Sequence, residues 1–250
     1  MIRKEDTSFW LACKMIAHVA VVSVGVLFRL TLGWLTPQAV EEHLTRFWRG
    51  LLTISRTKLR VRRHHSVRPG RVYVYMSNHR SFMDIPVLMG AVPGPAPRMV
   101  MKSQLANVPL FGPAAVGMGF VPIDRSRSVQ AARRLRRIKQ QLCDAGTSIW
   151  ISPEGRRNCG PEPAPFRRGG FRLAIDLGAP VVPMWISGTD VVLPPGAAGV
   201  VPDQAVTVVL GKPIPTKHLS GDRAGIAQLM VEVRAAMLEL ERLTRSNTHR

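Results

Sequence analysis

The stretch Val72-Tyr73-Val74-Tyr75-Met76-Ser77 runs directly into Asn78-His79-Arg80-Ser81-Phe82-Met83-Asp84, and a helical pattern follows from Ile85 to Ala91. A β-rich apolar run, a polar cluster and a helix in that order are the opening of a strand–loop–helix unit. Working outward, short β-rich runs recur at Arg98–Met101, Phe120–Ile123, Thr147–Ser152, Val181–Ile186 and Ala205–Leu210. Helical patterns lie at Gln104–Val116, Val129–Cys143, Arg168–Leu177 and Arg223–Thr244. Strands that alternate with helices predict an α/β fold: a central, largely parallel sheet flanked by helices. Polar residues at the C-terminal end of a parallel strand sit where open α/β sheets build their sites.

His79 and Asp84 are therefore the first chemical candidates. On one helix, residues five apart point about 140° from each other and share no face. They meet only if His79 lies in the strand-to-helix loop and Asp84 in the first helical turn. An imidazole held by a carboxylate is a competent general base for a hydroxyl group. A second reading of Asp84 stands beside this one. Ser81-x-x-Asp84 also fits a capping box, in which the carboxylate caps backbone N–H groups, and Pro86 suits a helix start. Neither role excludes the other.

Ser152-Pro153-Glu154-Gly155-Arg156-Arg157 follows another strand. Gly155 permits close approach of backbone to a ligand. Arg156 and Arg157 offer planar forks for phosphate, and Glu154 can orient an arginine or a hydroxyl. The alternative is a surface turn with a Glu–Arg ion pair. Gly119-Phe120-Val121-Pro122-Ile123-Asp124-Arg125 is a third strand ending in charge. Pro183 stands inside the apolar run Val181–Ile186, where a missing N–H demands an edge or a bulge. Phe166-Arg167-Arg168-Gly169 opens a helix suited to an anion. The chain contains no Gly-x-Ser-x-Gly, no Gly-x4-Gly-Lys-Ser/Thr and no zinc-ligand pattern, so no metal is implied.

Composition restricts the partners. The 250 residues carry 35 Lys+Arg against 16 Asp+Glu, a net charge of +19, which calls for a polyanion: nucleic acid or an anionic membrane surface. Arg125, Arg127, Arg133, Arg134, Arg136, Arg137 and Lys139 make a basic helix that suits either. Stacking aromatics are sparse, Tyr73 and Tyr75 being the only tyrosines, so nucleic-acid binding is the distant alternative. The apolar residues are concentrated from Phe9 to Leu35. Arg29 and large residues follow the uncharged stretch Met15–Phe28 of that run, where a signal peptide needs a small-residue cleavage site. It reads as an uncleaved membrane-associated helix, spanning or lying in the interface, with a buried helix of the main domain as the other reading. The basic segment Arg56–Arg71 is either an electrostatic anchor beside it or a solvated strand or loop. The organisation expected is a membrane-associated helical and basic region at 1–60 and a main domain at 61–250. Cys13, Cys143 and Cys159 form no disulfide framework, which fits a reducing compartment.

In order along the chain, Asn78-His79-x4-Asp84, Gly119…Ile123-Asp124-Arg125, Pro153-Glu154-Gly155-x-Arg157 and Val182-Pro183 resemble the four-block pattern of glycerolipid acyltransferases. The bacterial 1-acylglycerol-3-phosphate acyltransferases are the most alike, over about Tyr73 to Gly211. Lys102-x-x-Leu105…Pro109-x-Phe111-Gly112 and Phe166-Arg167-Arg168-Gly169 add to the likeness. The resemblance implies a membrane-associated O-acyltransferase that moves a fatty acyl group onto lysophosphatidic acid, giving phosphatidic acid. It implies acyl-CoA or acyl-carrier protein as co-substrate, with no cofactor and no metal. His79 is then the base on the acceptor hydroxyl, and Asp84 orients it. Arg125, Glu154, Gly155 and Arg157 then form the acceptor site, with Arg125 and Arg157 on its phosphate; Asn78 and Arg156 join the substrate-binding set, and Pro183 shapes the site. The location implied is the cytoplasmic face of the inner membrane. Arg156 stands where the family has a small hydroxyl residue, and Pro122 where it has a large apolar one. Glycerol 3-phosphate, a lyso-ornithine lipid or another lysolipid therefore stay open as acceptors.

Overall fold

A computed structural model describes residues 7–123, 146–158, 160 and 162–245. Among them, seven strands form one sheet: β1 (Lys58–Arg63), β2 (Val74–Ser77), β3 (Arg98–Lys102), β4 (Val121–Ile123), β5 (Ile149–Ile151), β6 (Val181–Ser187) and β7 (Ala205–Leu210). Their order is β1-β7-β6-β2-β5-β3-β4, and every pairing is parallel except that of β6 with β7. Strands β6, β2, β5, β3 and β4 thus run the same way. Their C-terminal ends share one edge of the sheet, with β2 between β6 and β5.

The helices are α1 (Phe9–Thr31), α2 (Pro37–Ile54), α3 (Asp84–Ala91), α4 (Phe111–Gly117), α5 (Arg168–Leu177), the single turn α6 (Thr189–Val192) and α7 (Arg223–Arg245). Alternation along the chain sorts side chains to the two faces of the sheet. Tyr73 and Tyr75 join Leu44, Leu88, Ala114, Val182 and Met184 on the face covered by α1 to α4. Val74 and Met76 join Phe171, Leu229, Val233 and Met237 on the face covered by α5 and α7. Both faces being covered, all four residues of β2 are buried, which is why the strand reads as a continuous apolar run.

Several elements depart from the sequence reading. Helix α2 was not singled out as an element from the sequence and lies within the helical and basic region expected at 1–60. Its Thr36 hydroxyl caps Ala39 N–H at 3.2 Å, Pro37 takes the first helical position, and Ala39, Val40, Leu44, Leu51 and Leu52 face the core. The basic stretch that follows is an edge strand, β1, in register with β7. Arg60 and Arg62 point outward while Leu59 and Val61 turn in, so the strand reading of that segment holds. The residue-60 division falls inside β1. The helix expected over Gln104–Val116 is broken: a 3-10 turn covers Ser103–Asn107, and α4 begins only at Phe111. Pro109 between them disfavours a helical conformation at Val108 and supplies no N–H.

Pro183 does not lie on an edge strand, because β6 is flanked by β7 and β2. The missing N–H is tolerated since β7 stops pairing at Leu210, opposite Met184. Gly211 follows opposite Pro183 and donates its N–H to the Pro183 carbonyl at 2.8 Å, and the chain then departs until Ile214, opposite Val181, so no ladder bond is required from the Pro183 nitrogen. Helix α1 is half-buried. Met15, Val22 and Val26 pack inward, while Phe9, Trp10, Ile16, Val21, Val24 and Phe28 are exposed on the opposite face. Among the described residues it is the one helix long and apolar enough to cross a membrane. A wholly buried core helix does not fit this packing. Arg125, the basic run to Lys139, the helix expected at Val129–Cys143, and Cys143 and Cys159 lie outside the described residues.

Candidate active site

Strand β2 ends at Ser77, and the next two residues set the site. Asn78 is buried, and its amide is committed to β6: Nδ2 donates to the Ile186 carbonyl and Oδ1 accepts the Ile186 N–H, both at 2.8 Å. Asn78, a substrate-binding candidate by resemblance, thus frames the site, since both ends of its amide hold the neighbouring strand. Asn78→Ala removes two buried hydrogen bonds and strands the Ile186 N–H and C=O, at about 2–4 kcal/mol. The expected result is a thermal midpoint lowered by roughly 5–15 °C. An unchanged melting curve would show that the amide does not hold β2 to β6.

His79 lies in the loop and Asp84 at the first position of α3, the geometry that their spacing required. His79 Nδ1 is 2.7 Å from Asp84 Oδ2. Asp84 is fully buried and receives four donors. Oδ2 also accepts the N–H groups of Arg80 (2.7 Å) and Ser81 (3.0 Å), and Oδ1 accepts the hydroxyl of Thr189. The Ser81 bond has the i, i+3 spacing that the capping-box reading required, although α3 itself starts at Asp84 and has Met83 as its N-cap. One side chain thus serves both readings: it caps the loop and holds the imidazole. A carboxylate that receives N–H and O–H donors on both oxygens is the acceptor in each of those bonds. The proton on the His79–Asp84 bond therefore sits on Nδ1, which leaves Nε2 as the basic nitrogen.

The imidazole is backed by Trp150 of β5, whose ring meets it edge-on at 5.6 Å between centroids and 85° between planes. Trp150 Nε1 donates to Ser77 Oγ at 2.9 Å, and Ser77 Oγ donates to the Asn78 carbonyl at 2.8 Å. The side chain of His79 retains 15% of its exposure. A reactant hydroxyl can therefore reach a ring whose orientation is set from behind.

The segment after β5 lies beside this loop, as adjacent parallel strands require. The His79 carbonyl accepts the Asn158 N–H at 2.7 Å. Glu154 is buried, and its Oε2 accepts the Ala164 N–H at 2.8 Å, which ties down the following loop. Gly155 has φ +71°, and a Cβ there would stand 2.5 Å from Arg167 Cδ. What approaches closely at Gly155 is thus the Arg167 side chain, where the sequence reading had a ligand. Arg157 stacks over the ring of Phe82, 4.2 Å from its centroid, at the rim of the His79 loop. Arg156 is exposed. Strand β4, which precedes Asp124 and Arg125, ends at the same sheet edge, two places beyond β5. Among the described residues no group of three or more His, Cys, Asp or Glu is placed to hold a metal ion. Thr189 and Trp150 were not singled out from the sequence. The available signal was position, since Ser187-Gly188-Thr189-Asp190 directly follows an apolar strand.

Comparison with known proteins agrees with this architecture. The chain is 35% identical over 141 residues to the chloroplast 1-acyl-sn-glycerol-3-phosphate acyltransferase of Brassica napus, a match covering 56% of this chain and 40% of that protein. It is 31% identical over 185 residues to the alpha form of human 1-acyl-sn-glycerol-3-phosphate acyltransferase, covering 74% of this chain and 64% of the human one. It thus spans less than two thirds of either relative. The crystal structure of the 1-acyl-sn-glycerophosphate acyltransferase of Thermotoga maritima has the same fold, with a TM-score of 0.74 over 94% of this chain and 95% of that one, at 23% identity. The Acyltransferase family model matches residues 58–187, just over half of the chain, from β1 to the end of β6. With the His79–Asp84 pair just after β2 and its flanking segments all inside that match, the chain belongs to the Acyltransferase family.

Proposed function

We propose that this chain is an O-acyltransferase that moves a fatty acyl group from a thioester donor to the free hydroxyl of lysophosphatidic acid, forming phosphatidic acid. The observation that carries the reading is the 2.7 Å bond from His79 Nδ1 to a buried carboxylate, which leaves Nε2 open at the sheet edge. Nε2 takes the proton of the acceptor hydroxyl as its oxygen attacks the thioester carbonyl. The tetrahedral intermediate collapses by breaking the carbon–sulfur bond, and the imidazolium returns the proton to the departing thiolate. Asp84 stabilises the imidazolium in between. No acyl-enzyme is required. Arg157, held beside the His79 loop by Phe82, supplies a cation for the acceptor phosphate, and Arg125 is proposed to do the same.

The acceptor is a membrane lipid, and the outward face of α1 suits a helix lying in the membrane interface with the sheet edge above it. Packing of α1 on α2 and α4 supports a surface-lying helix over an isolated span. The net charge of +19 calls for an anionic partner, and the exposed apolar face of α1 favours a membrane surface over nucleic acid. The donor is acyl-CoA or acyl-carrier protein, and the site of action is the cytoplasmic face of the inner membrane.

The test is acyl transfer by detergent-purified protein, with labelled acyl-CoA or acyl-carrier protein offered to lysophosphatidic acid, glycerol 3-phosphate and lyso-ornithine lipid. Phosphatidic acid is the expected main product. Preference for another acceptor would overturn the substrate assignment and leave the chemistry. No transfer to any acceptor would overturn both.

A further inference from the structure

Strand β6 and the segment that follows it grip the His79 loop at four points. The main chain of Ile186 is bonded to the Asn78 amide. Thr189 Oγ1 donates to Asp84 Oδ1. Asp190 meets the Arg80 guanidinium at 3.3 Å, and the Leu193 carbonyl accepts the Ser81 hydroxyl at 2.9 Å. Only the second of these reaches the carboxylate that holds the imidazole.

Its placement is specific. Gly188 adopts φ +96°, and a Cβ there would stand 2.6 Å from the Ala205 carbonyl oxygen. Only glycine makes that turn at this spot, and the turn delivers the next residue to Asp84. Thr189 is fully buried, so its hydroxyl proton must go to a protein acceptor. The other three donors to Asp84 all converge on Oδ2. Without Thr189, Oδ1 loses its fixed partner among these contacts, and the carboxylate is free to turn about its Cβ–Cγ bond. Such a turn moves Oδ2 out of line with the imidazole Nδ1–H. With both oxygens held, the carboxylate keeps one plane, and the proton stays on Nδ1.

We infer that Thr189 is a positioning residue for acyl transfer: its hydroxyl locks Asp84 so that His79 presents Nε2, unprotonated, to the acceptor hydroxyl. The inference rests on the function proposed above. A threonine that merely satisfies its own buried hydroxyl predicts a different outcome from one that sets the tautomer.

The experiment compares Thr189→Val, which keeps the shape and removes the donor, with Thr189→Ser, which keeps the donor, in the full-length detergent-purified protein. The first readout is the ¹⁵N spectrum of the His79 ring, assigned by its loss in His79→Gln. Wild type and the serine variant are expected to show the Nδ1–H tautomer, and the valine variant a mixture of both. The second readout is steady-state kinetics. The valine variant is expected to lose kcat by roughly 10- to 100-fold, as other supporting groups of active-site histidines do when removed, with both KM values little changed. Serine is expected to restore kcat to within about threefold of wild type. If the valine variant fails to fold, Thr189→Ala is the donor-free substitute. A donor-free variant with the wild-type tautomer and kcat would overturn the inference. So would a serine variant as impaired as valine, which would point to methyl packing. Absence of acyl transfer in the wild type would sink the proposed function, while the tautomer comparison would still decide whether Thr189 positions His79.

Discussion

His79→Ala leaves a folded protein whose acyl-transfer rate falls by about three orders of magnitude. The size follows from the role: a positioned general base contributes about 10²- to 10⁴-fold. The structure adds that stability should survive. His79 makes one side-chain hydrogen bond, to Asp84, and its ring is partly exposed. When it is removed, Asp84 still accepts from Arg80 N, Ser81 N and Thr189 Oγ1, so no buried charge is abandoned. The measurements are kcat under saturating donor and acceptor, and a thermal melt expected within a few degrees of wild type. A folded variant that retains more than about a tenth of the activity would remove His79 from the chemistry.

The second large effect concerns α1. Replacing Ile16, Val21, Val24 and Phe28 together by serine is expected to weaken vesicle binding by roughly a thousandfold. These side chains are 71%, 68%, 51% and 60% exposed, so they contribute little to the core. Full burial of such a side chain is worth about 1.5–3 kcal/mol. Four of them, each already partly covered, leave about 4 kcal/mol for the lipid, or three decades in partitioning. The measurement is co-sedimentation with anionic vesicles at high salt, where the attraction of the basic surface is screened. Unchanged sedimentation would show that this face does not meet lipid. Loss of wild-type binding at high salt would assign it to charge instead.

What could be read without the structure was whatever burial writes as a continuous apolar run. β7 and α5 begin and end where the sequence placed them, because Ala205–Leu210 is bounded by polar and turn residues and Arg168–Leu177 runs into Gly178. The His79–Asp84 contact was legible as a condition on where the loop ends and the helix begins, and that condition is met. Elements in which charge masked pattern were harder. Helix α2 carries its apolar stripe between arginines and glutamates, and its Thr36-Pro37 start is a short cue. β1 exposes alternate residues because it is an edge strand, and an edge can be recognised only once its partner β7 is known. The tolerance of Pro183 in an interior strand depends on where β7 stops, more than 20 residues away in the chain. Thr189 was illegible for the same reason. Its acceptor lies 105 residues earlier, and no local spacing encodes that meeting.

The double duty of Asp84 bears on how this scaffold can lose its chemistry over evolutionary time. The carboxylate is both the partner of the imidazole and the acceptor for two main-chain amides at the head of α3. A lineage that drops catalysis through Asp84 must also repair the start of a buried helix, whereas one that drops it through His79 gives up little structure. Lipid-binding descendants of such a fold, retained for their grip on membranes after turnover is gone, should therefore more often keep the aspartate and have replaced the histidine.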